Sequence, residues 1–160
     1  MKTLFSSNTD EWRTPPKLYN KLHTEFKFTL DAAATPESTL CTTFYSKDNC
    51  GLTNSWKGHT VFCNPPYSRK LQDKFIRKAY HEAIENRVIS VLLIPARTCK
   101  ISWHEVCMQA DELRFIKGRL KFSNQDGTTA NSAPFPSVLV IFNSVYNLCG
   151  FTPLTSSYII

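Results

Sequence analysis

The stretch from Val61 to Lys70, VFCNPPYSRK, decides how the rest of the chain is read. Thr60–Cys63 is a short apolar run suited to a buried strand, and two consecutive prolines stop it. Proline has no N–H and its ring fixes φ, and the residue before a proline is held extended. Asn64-Pro65-Pro66-Tyr67 therefore reads as a stiff turn at the C-terminal end of a strand. Its carbonyls cannot all be used locally, Asn64 adds an amide acceptor, and Tyr67 adds an aromatic plate. Two acceptors beside a plate suit a planar substrate carrying an –NH₂ group. A strand-ending turn with a core tyrosine is the plainer alternative. Ser68 then reads as the cap of a basic helix with Leu71, Phe75, Ala79 and Ala83 on one face.

Working outward, Val88–Ile94 (VISVLLI) is a continuous apolar run ending at Pro95, as in a strand covered on both faces of a parallel sheet. Upstream, Thr14-Pro15-Pro16 predicts an N-cap followed by proline in the first turn, with Leu18, Leu22 and Phe26 at helical spacing. Phe26–Asp31 alternates and predicts a strand ending on an acid, followed by a turn at Ala32–Pro36. Residues 37–58 carry at most a short strand near Phe44-Tyr45. Downstream, Ser102-x-x-Glu105 predicts a capping box. Glu112–Lys117 and Ser137–Phe142 predict two more strands, separated by a long polar, proline-containing loop. Alternating strands and helices imply an α/β sheet with right-handed crossovers. Ligands in such sheets bind beyond the C-terminal strand edges, where Asp31, Asn64 and Pro95 would converge.

A chain of 160 residues is expected to form one domain, with a core over about residues 10–142 and a tail over 143–160. Nineteen Lys and Arg against thirteen Asp and Glu give a net charge of +6, which favours a polyanionic partner. The six cysteines form no CxxC pair, and the four histidines (23, 59, 81 and 104) show no metal spacing, so no metal is expected. No apolar stretch approaches a membrane span, and the opening MKTLFSSNTDEW reads as no signal peptide; a cytoplasmic setting is the expectation.

With these residues in view, the chain resembles the amino-methyltransferases that use S-adenosylmethionine, whose catalytic loop reads (D/N)PP(Y/F/W). More closely it resembles the phage-type DNA N6-adenine methyltransferases. The landmarks are Trp12-x-Thr14-Pro15, Leu30-Asp31-Ala32-Ala33, Asp48-x-x-Gly51-Leu52, Trp56, Asn64–Tyr67 and Pro134–Ser137. The resemblance implies a Rossmann-like class I methyltransferase fold. That fold is a three-layer sandwich around a mostly parallel sheet with an antiparallel final strand. It implies catalysis by Asn64, Pro65, Pro66 and Tyr67, with the last stacking on an adenine flipped out of DNA. It implies cofactor binding by Trp12, Thr14, Pro15, Asp31, Ala32, Ala33 and Asp48. The alanines would stand in for a glycine-rich loop, since no glycine precedes Gly51. DNA contact would come from Arg69, Arg97, Lys117, Arg119 and Lys121, and the setting would be a bacterial host cytoplasm if the gene is phage-borne. The same loop also serves enzymes acting on RNA bases or protein glutamine, and the missing glycines leave open a non-catalytic nucleic-acid-binding module.

Overall fold

The computed structural model describes residues 12–123, 129–143 and 157–159. Its strands are β1 (Leu30–Asp31), β2 (Thr43–Phe44), β3 (Thr60–Cys63), β4 (Ile89–Pro95), β5 (Glu112–Ile116), β6 (Lys121–Ser123), β7 (Thr129–Ser132), β8 (Ser137–Asn143) and β9 (Ser157–Ile159). The helices are α1 (Pro16–Phe26), α2 (Arg69–Asn86) and α3 (Ile101–Glu105). The main sheet has the order β2-β1-β3-β4-β8-β5-β9. Only β8 runs against the others, pairing antiparallel with both β4 and β5. This is the expected Rossmann-like methyltransferase architecture. Three residues of the predicted tail form β9 beside β5; residues 144–156 and 160 of that tail lie outside the described residues.

Strand parity sorts the core into two layers. Val61, Cys63, Leu92, Ile94, Val138, Val140 and Phe142 face Phe75, Ile76, Ala79 and Ala83 of α2 and Trp103 of α3. Phe62, Val91, Leu93, Leu139 and Ile141 face Tyr19 and Leu22 of α1. The VISVLLI run reads as unbroken apolar sequence because both faces of β4 are covered, from Ser90 to Pro95.

Several local expectations are corrected. The strand predicted over Phe26–Asp31 is confined to Leu30–Asp31: α1 runs on through Phe26, and Lys27 closes it in the left-handed region (φ 55°), its N–H bonded to the His23 carbonyl. Thr14 is not the cap of α1; Pro15 takes that position with Pro16 as the first helical residue. Leu71 is 39% exposed and lies off the buried face of α2, which Gln72, Phe75, Ile76, Ala79 and Ala83 share. The capping box at Ser102 does not form. Lys100 caps α3, the Ser102 hydroxyl donates to Asp73 Oδ1 at 2.9 Å, and Glu105 pairs with Arg77. The loop predicted between β5 and β8 contains an antiparallel ribbon of β6 and β7.

The chain passes from β1 out to β2, then returns across β1 to β3 and β4. The reversal makes the carboxyl ends of β1 and β3 a topological switch point, where α/β sheets hold ligands.

Candidate active site

Asp31 lies level with Phe62 in the β1–β3 register, so Asn64 stands two residues beyond it, just past the strand edge. Between these ends opens a cavity of about 180 Å³. Its wall includes Trp12, Thr14, Asp31, Ala32, Ala33, Asn64 and Pro66, which the sequence had nominated. Pro15 and Asp48 are not part of that wall: Pro15 caps α1, and Asp48 is exposed in a turn where its N–H meets Ser46 Oγ. Tyr45, Ser46 and Lys47 line the cavity instead, with Arg13 and Leu71 also contributing. The cavity accounts for the exposure of Leu71, an apolar side chain at the start of α2.

Asp31 is 3% exposed, and burial raises its carboxyl to about pKa 6, against two long backbone hydrogen bonds from Ala33 and Leu40 that favour the charged form. Both of those partners are neutral amides, which leaves a buried acid beside the cavity with capacity for a cation. Ala32 and Ala33 follow it in the cavity wall, and Gly51, the first glycine of the chain, packs against the Ala32 backbone. A Cβ built on Gly51 would stand 2.2 Å from the Ala32 carbonyl oxygen. The Gly51 carbonyl in turn accepts from the Trp56 indole N–H at 2.8 Å, with Trp56 fully buried. Close approach of two backbones, not a loop around a phosphate, is what this glycine provides.

At Asn64 the side-chain amide spends its hydrogens within the protein. Nδ2 donates to the Trp12 carbonyl and, at 3.1 Å, to the Thr14 hydroxyl. Its Oδ1 is sheltered from water and has no partner among the described residues. The Pro65 carbonyl likewise accepts no backbone hydrogen bond among the turn and loop contacts of those residues. An unsatisfied buried acceptor costs roughly 1–3 kcal/mol, which an arriving N–H would recover.

Tyr67 corrects the picture of an open plate. It is 4% exposed, its hydroxyl donates to the Leu93 carbonyl at 3.3 Å, and its ring sits in an aromatic box. Trp12 lies nearly parallel to it at 6.4 Å between centroids, while Phe135 and Phe122 meet it edge-on. The ring is buried because the segment before α1 and the β6–β7 ribbon close over it. A base stacking on Tyr67 requires Trp12 to give way. Arg97, nominated for DNA, is half-buried and donates to the Tyr67 carbonyl at 3.3 Å. Arg69, Lys117, Arg119 and Lys121 are exposed, the last three on or next to the ribbon.

A family described as DNA N-6-adenine-methyltransferase (Dam) matches residues 2–156, nearly the whole chain. The chain belongs to this DNA adenine-N6 methyltransferase family. The membership fits both the sheet order and an acceptor-bearing loop at its switch point. Among curated relatives, a DNA N-6-adenine-methyltransferase of Escherichia phage T1 is 36% identical over 113 residues, 69% of this chain and 46% of the relative. Another of the same description, from Haemophilus phage HP1, is 29% identical over 159 residues, 96% of this chain and 88% of the relative. The chain thus spans just under half the length of the T1 relative and most of the HP1 relative. Among the described residues no helix is long and apolar enough to cross a membrane, and no cluster of three His, Cys, Asp or Glu could hold a metal.

Proposed function

We propose that this family member transfers a methyl group from S-adenosylmethionine to the exocyclic N6 of adenine in DNA, as a single domain working in the cytoplasm of a bacterial host. The observation that carries the reading is the Asn64 amide, with both hydrogens engaged and its oxygen unpartnered at the edge of the cavity. The adenine amino nitrogen is a poor nucleophile because its lone pair is delocalised into the ring. Its two N–H groups would be accepted by Asn64 Oδ1 and the Pro65 carbonyl, which favours a pyramidal nitrogen with the lone pair exposed. The diproline backbone cannot relax away from that geometry, so positioning and electrostatics lower the barrier without a strong base.

The cavity wall fits the proposed donor. Asp31 would take its ammonium, the charge partner that the buried carboxyl lacks, and Ala32 and Ala33 would leave room for close backbone contact. Trp12, Thr14, Tyr45 and Lys47 complete that wall. When bound, S-adenosylmethionine would supply a methyl group made electrophilic by its sulfonium; the S–CH₃ bond would break to leave a neutral thioether, and the methylated nitrogen would then lose one proton to solvent. The Tyr67 ring, once Trp12 moves, would stack on the extruded base, recovering about 1–3 kcal/mol against the few kcal/mol of extrusion. Arg69, Lys117, Arg119 and Lys121 would meet phosphates, and Arg97 would brace the Tyr67 end of the loop beside them.

Incubation of the purified protein with methyl-labelled donor and equal amounts of DNA, RNA and protein acceptors tests the reading. Label in adenine of DNA is expected. Label in RNA or protein alone would replace the substrate, and no saturable donor binding would leave only a nucleic-acid-binding module.

A further inference from the structure

Two diproline segments face each other across the site. Thr14 precedes Pro15-Pro16 and Asn64 precedes Pro65-Pro66, and the side chains of the two leading residues are bonded to each other. A residue before proline is confined to extended backbone, so both partners are held in place before any ligand arrives. The segment carrying Thr14 is fixed from its other side as well. The Arg13 carbonyl accepts from the Ser123 N–H at 2.9 Å, which ties the segment to β6. The neighbouring Trp12 carbonyl accepts from Asn64 Nδ2 instead.

The two ends of a side-chain amide have nearly the same shape, and only their partners decide which end points where. The Trp12 carbonyl can accept but never donate. An inverted Asn64 would press Oδ1 against that oxygen and turn Nδ2 toward the incoming amine, where two donors would oppose each other. Thr14, 7% exposed, adds a second acceptor to the same nitrogen.

We propose that the Trp12 carbonyl and the Thr14 hydroxyl are positioning groups for Asn64, fixing its amide so that Oδ1 is the end offered to the target amine. The inference rests on the acceptor role of Asn64 proposed above. It also assigns Thr14 a task different from lining the donor, and the two tasks separate in kinetics.

Thr14→Val keeps the shape and removes the acceptor, whereas Thr14→Ser keeps a hydroxyl. As positioning predicts, Thr14→Val should lower kcat about three- to tenfold, the worth of one ordinary hydrogen bond. Donor affinity by calorimetry should stay at the wild-type value, and Thr14→Ser should restore most of kcat. A raised donor Kd with unchanged kcat would overturn the proposal in favour of donor lining, as would a Thr14→Ser protein no better than Thr14→Val. Asn64→Ala in the same assay separates the two levels. If it turns over like wild type, the reading of the site itself fails; if it is inactive while Thr14→Val has full kcat, only the positioning role fails.

Asn64→Asp gives a second readout that folding defects do not imitate. When protonated, the introduced carboxyl has an O–H for the Trp12 carbonyl and a free C=O for the amine, and so mimics asparagine; when ionised, it is repelled by the carbonyl. The activity of this variant relative to wild type should therefore fall as pH rises. Arg13, Asp31, Tyr45, Lys47 and Cys50 around the cavity, and Cys63, Tyr67 and Arg97 at the loop, are ionisable groups common to both proteins, so their titration in the wild type is divided out of the ratio. A ratio that rises with pH would mean that the carboxylate is the better acceptor here and that the Trp12 carbonyl does not govern the amide.

Discussion

Gly51→Ala is the sharpest perturbation that the fold offers, because backbone freedom and contact geometry rank it in opposite ways. Gly51 does not occupy the left-handed region, so backbone freedom alone makes the substitution harmless. Gly58 and Gly118, at φ 82° and 76°, have open space around them and suffer only the conformational cost of about 1 kcal/mol. Contact geometry reverses this order. The new Cβ would lie 2.2 Å from the Ala32 carbonyl oxygen, more than ~1 Å inside comfortable contact. Neither side can easily retreat: the Ala32 N–H is bonded to the Phe62 carbonyl at 2.9 Å, and the Gly51 carbonyl holds the buried Trp56 indole. Overpacking against fixed backbone costs about 1–3 kcal/mol or more. At about 2–4 °C per kcal/mol for a chain of this size, the upper end of that cost, about 3 kcal/mol, should lower the Tm of Gly51→Ala by roughly 6–12 °C, against about 2–4 °C for Gly58→Ala. Because Ala32 is part of the cavity wall, donor affinity should fall with it. Thermal unfolding and donor calorimetry on both variants read the result. A Gly51→Ala protein with wild-type Tm and donor affinity would refute the close-approach argument.

Other outcomes follow from the site. Burial raises Asp31 to about 6, while an unfolded aspartate titrates near ~4. Between about pH 4 and 6 the folded chain thus holds a proton that the unfolded chain has lost, and stability falls as pH rises through that window. Asp31→Asn should remove its share of this slope in chemical denaturation, leaving the part due to Asp111, also raised by burial, and the opposite slope due to Glu25 and Glu82, whose carboxyls are lowered, and should abolish measurable donor binding; an unchanged slope contradicts the assignment. Lys117→Ala, Arg119→Ala and Lys121→Ala should each weaken DNA binding and lower the slope of log affinity against log salt by about 1; a slope unaltered in all three removes the ribbon from the DNA surface. Trp56→Phe keeps an aromatic ring but orphans the Gly51 carbonyl and leaves space where the second ring was, and denaturation should show a loss of at least about 1–3 kcal/mol, with no loss counting against that bond.

What the sequence made legible is what depends on neighbours along the chain. The Thr60–Cys63 strand, its proline stop and the VISVLLI strand came from local pattern, and the switch point with Asp31 and Asn64 came from their order. Thr14 has the local form of a cap, a threonine before proline and an apolar period, while its hydroxyl serves a partner fifty residues away. The need for glycine at Gly51 is visible only once Ala32 is set against it, a contact that no local pattern announces. Tyr67 was legible as an aromatic at the loop, but not its enclosure, which depends on Trp12, Phe122 and Phe135 arriving from three separate segments. Asp48 carried the more evident chemistry, yet the turn directs the wall to Tyr45, Ser46 and Lys47.

The most direct measurement is nucleoside analysis of DNA treated with wild-type and Asn64→Ala protein at matched, saturating donor. N6-methyladenine should form with the wild type and fall by about 100-fold or more with the variant, while donor affinity stays nearly unchanged. An Asn64→Ala protein that makes N6-methyladenine at the wild-type rate, or a wild type that places the methyl on another atom, would contradict the account.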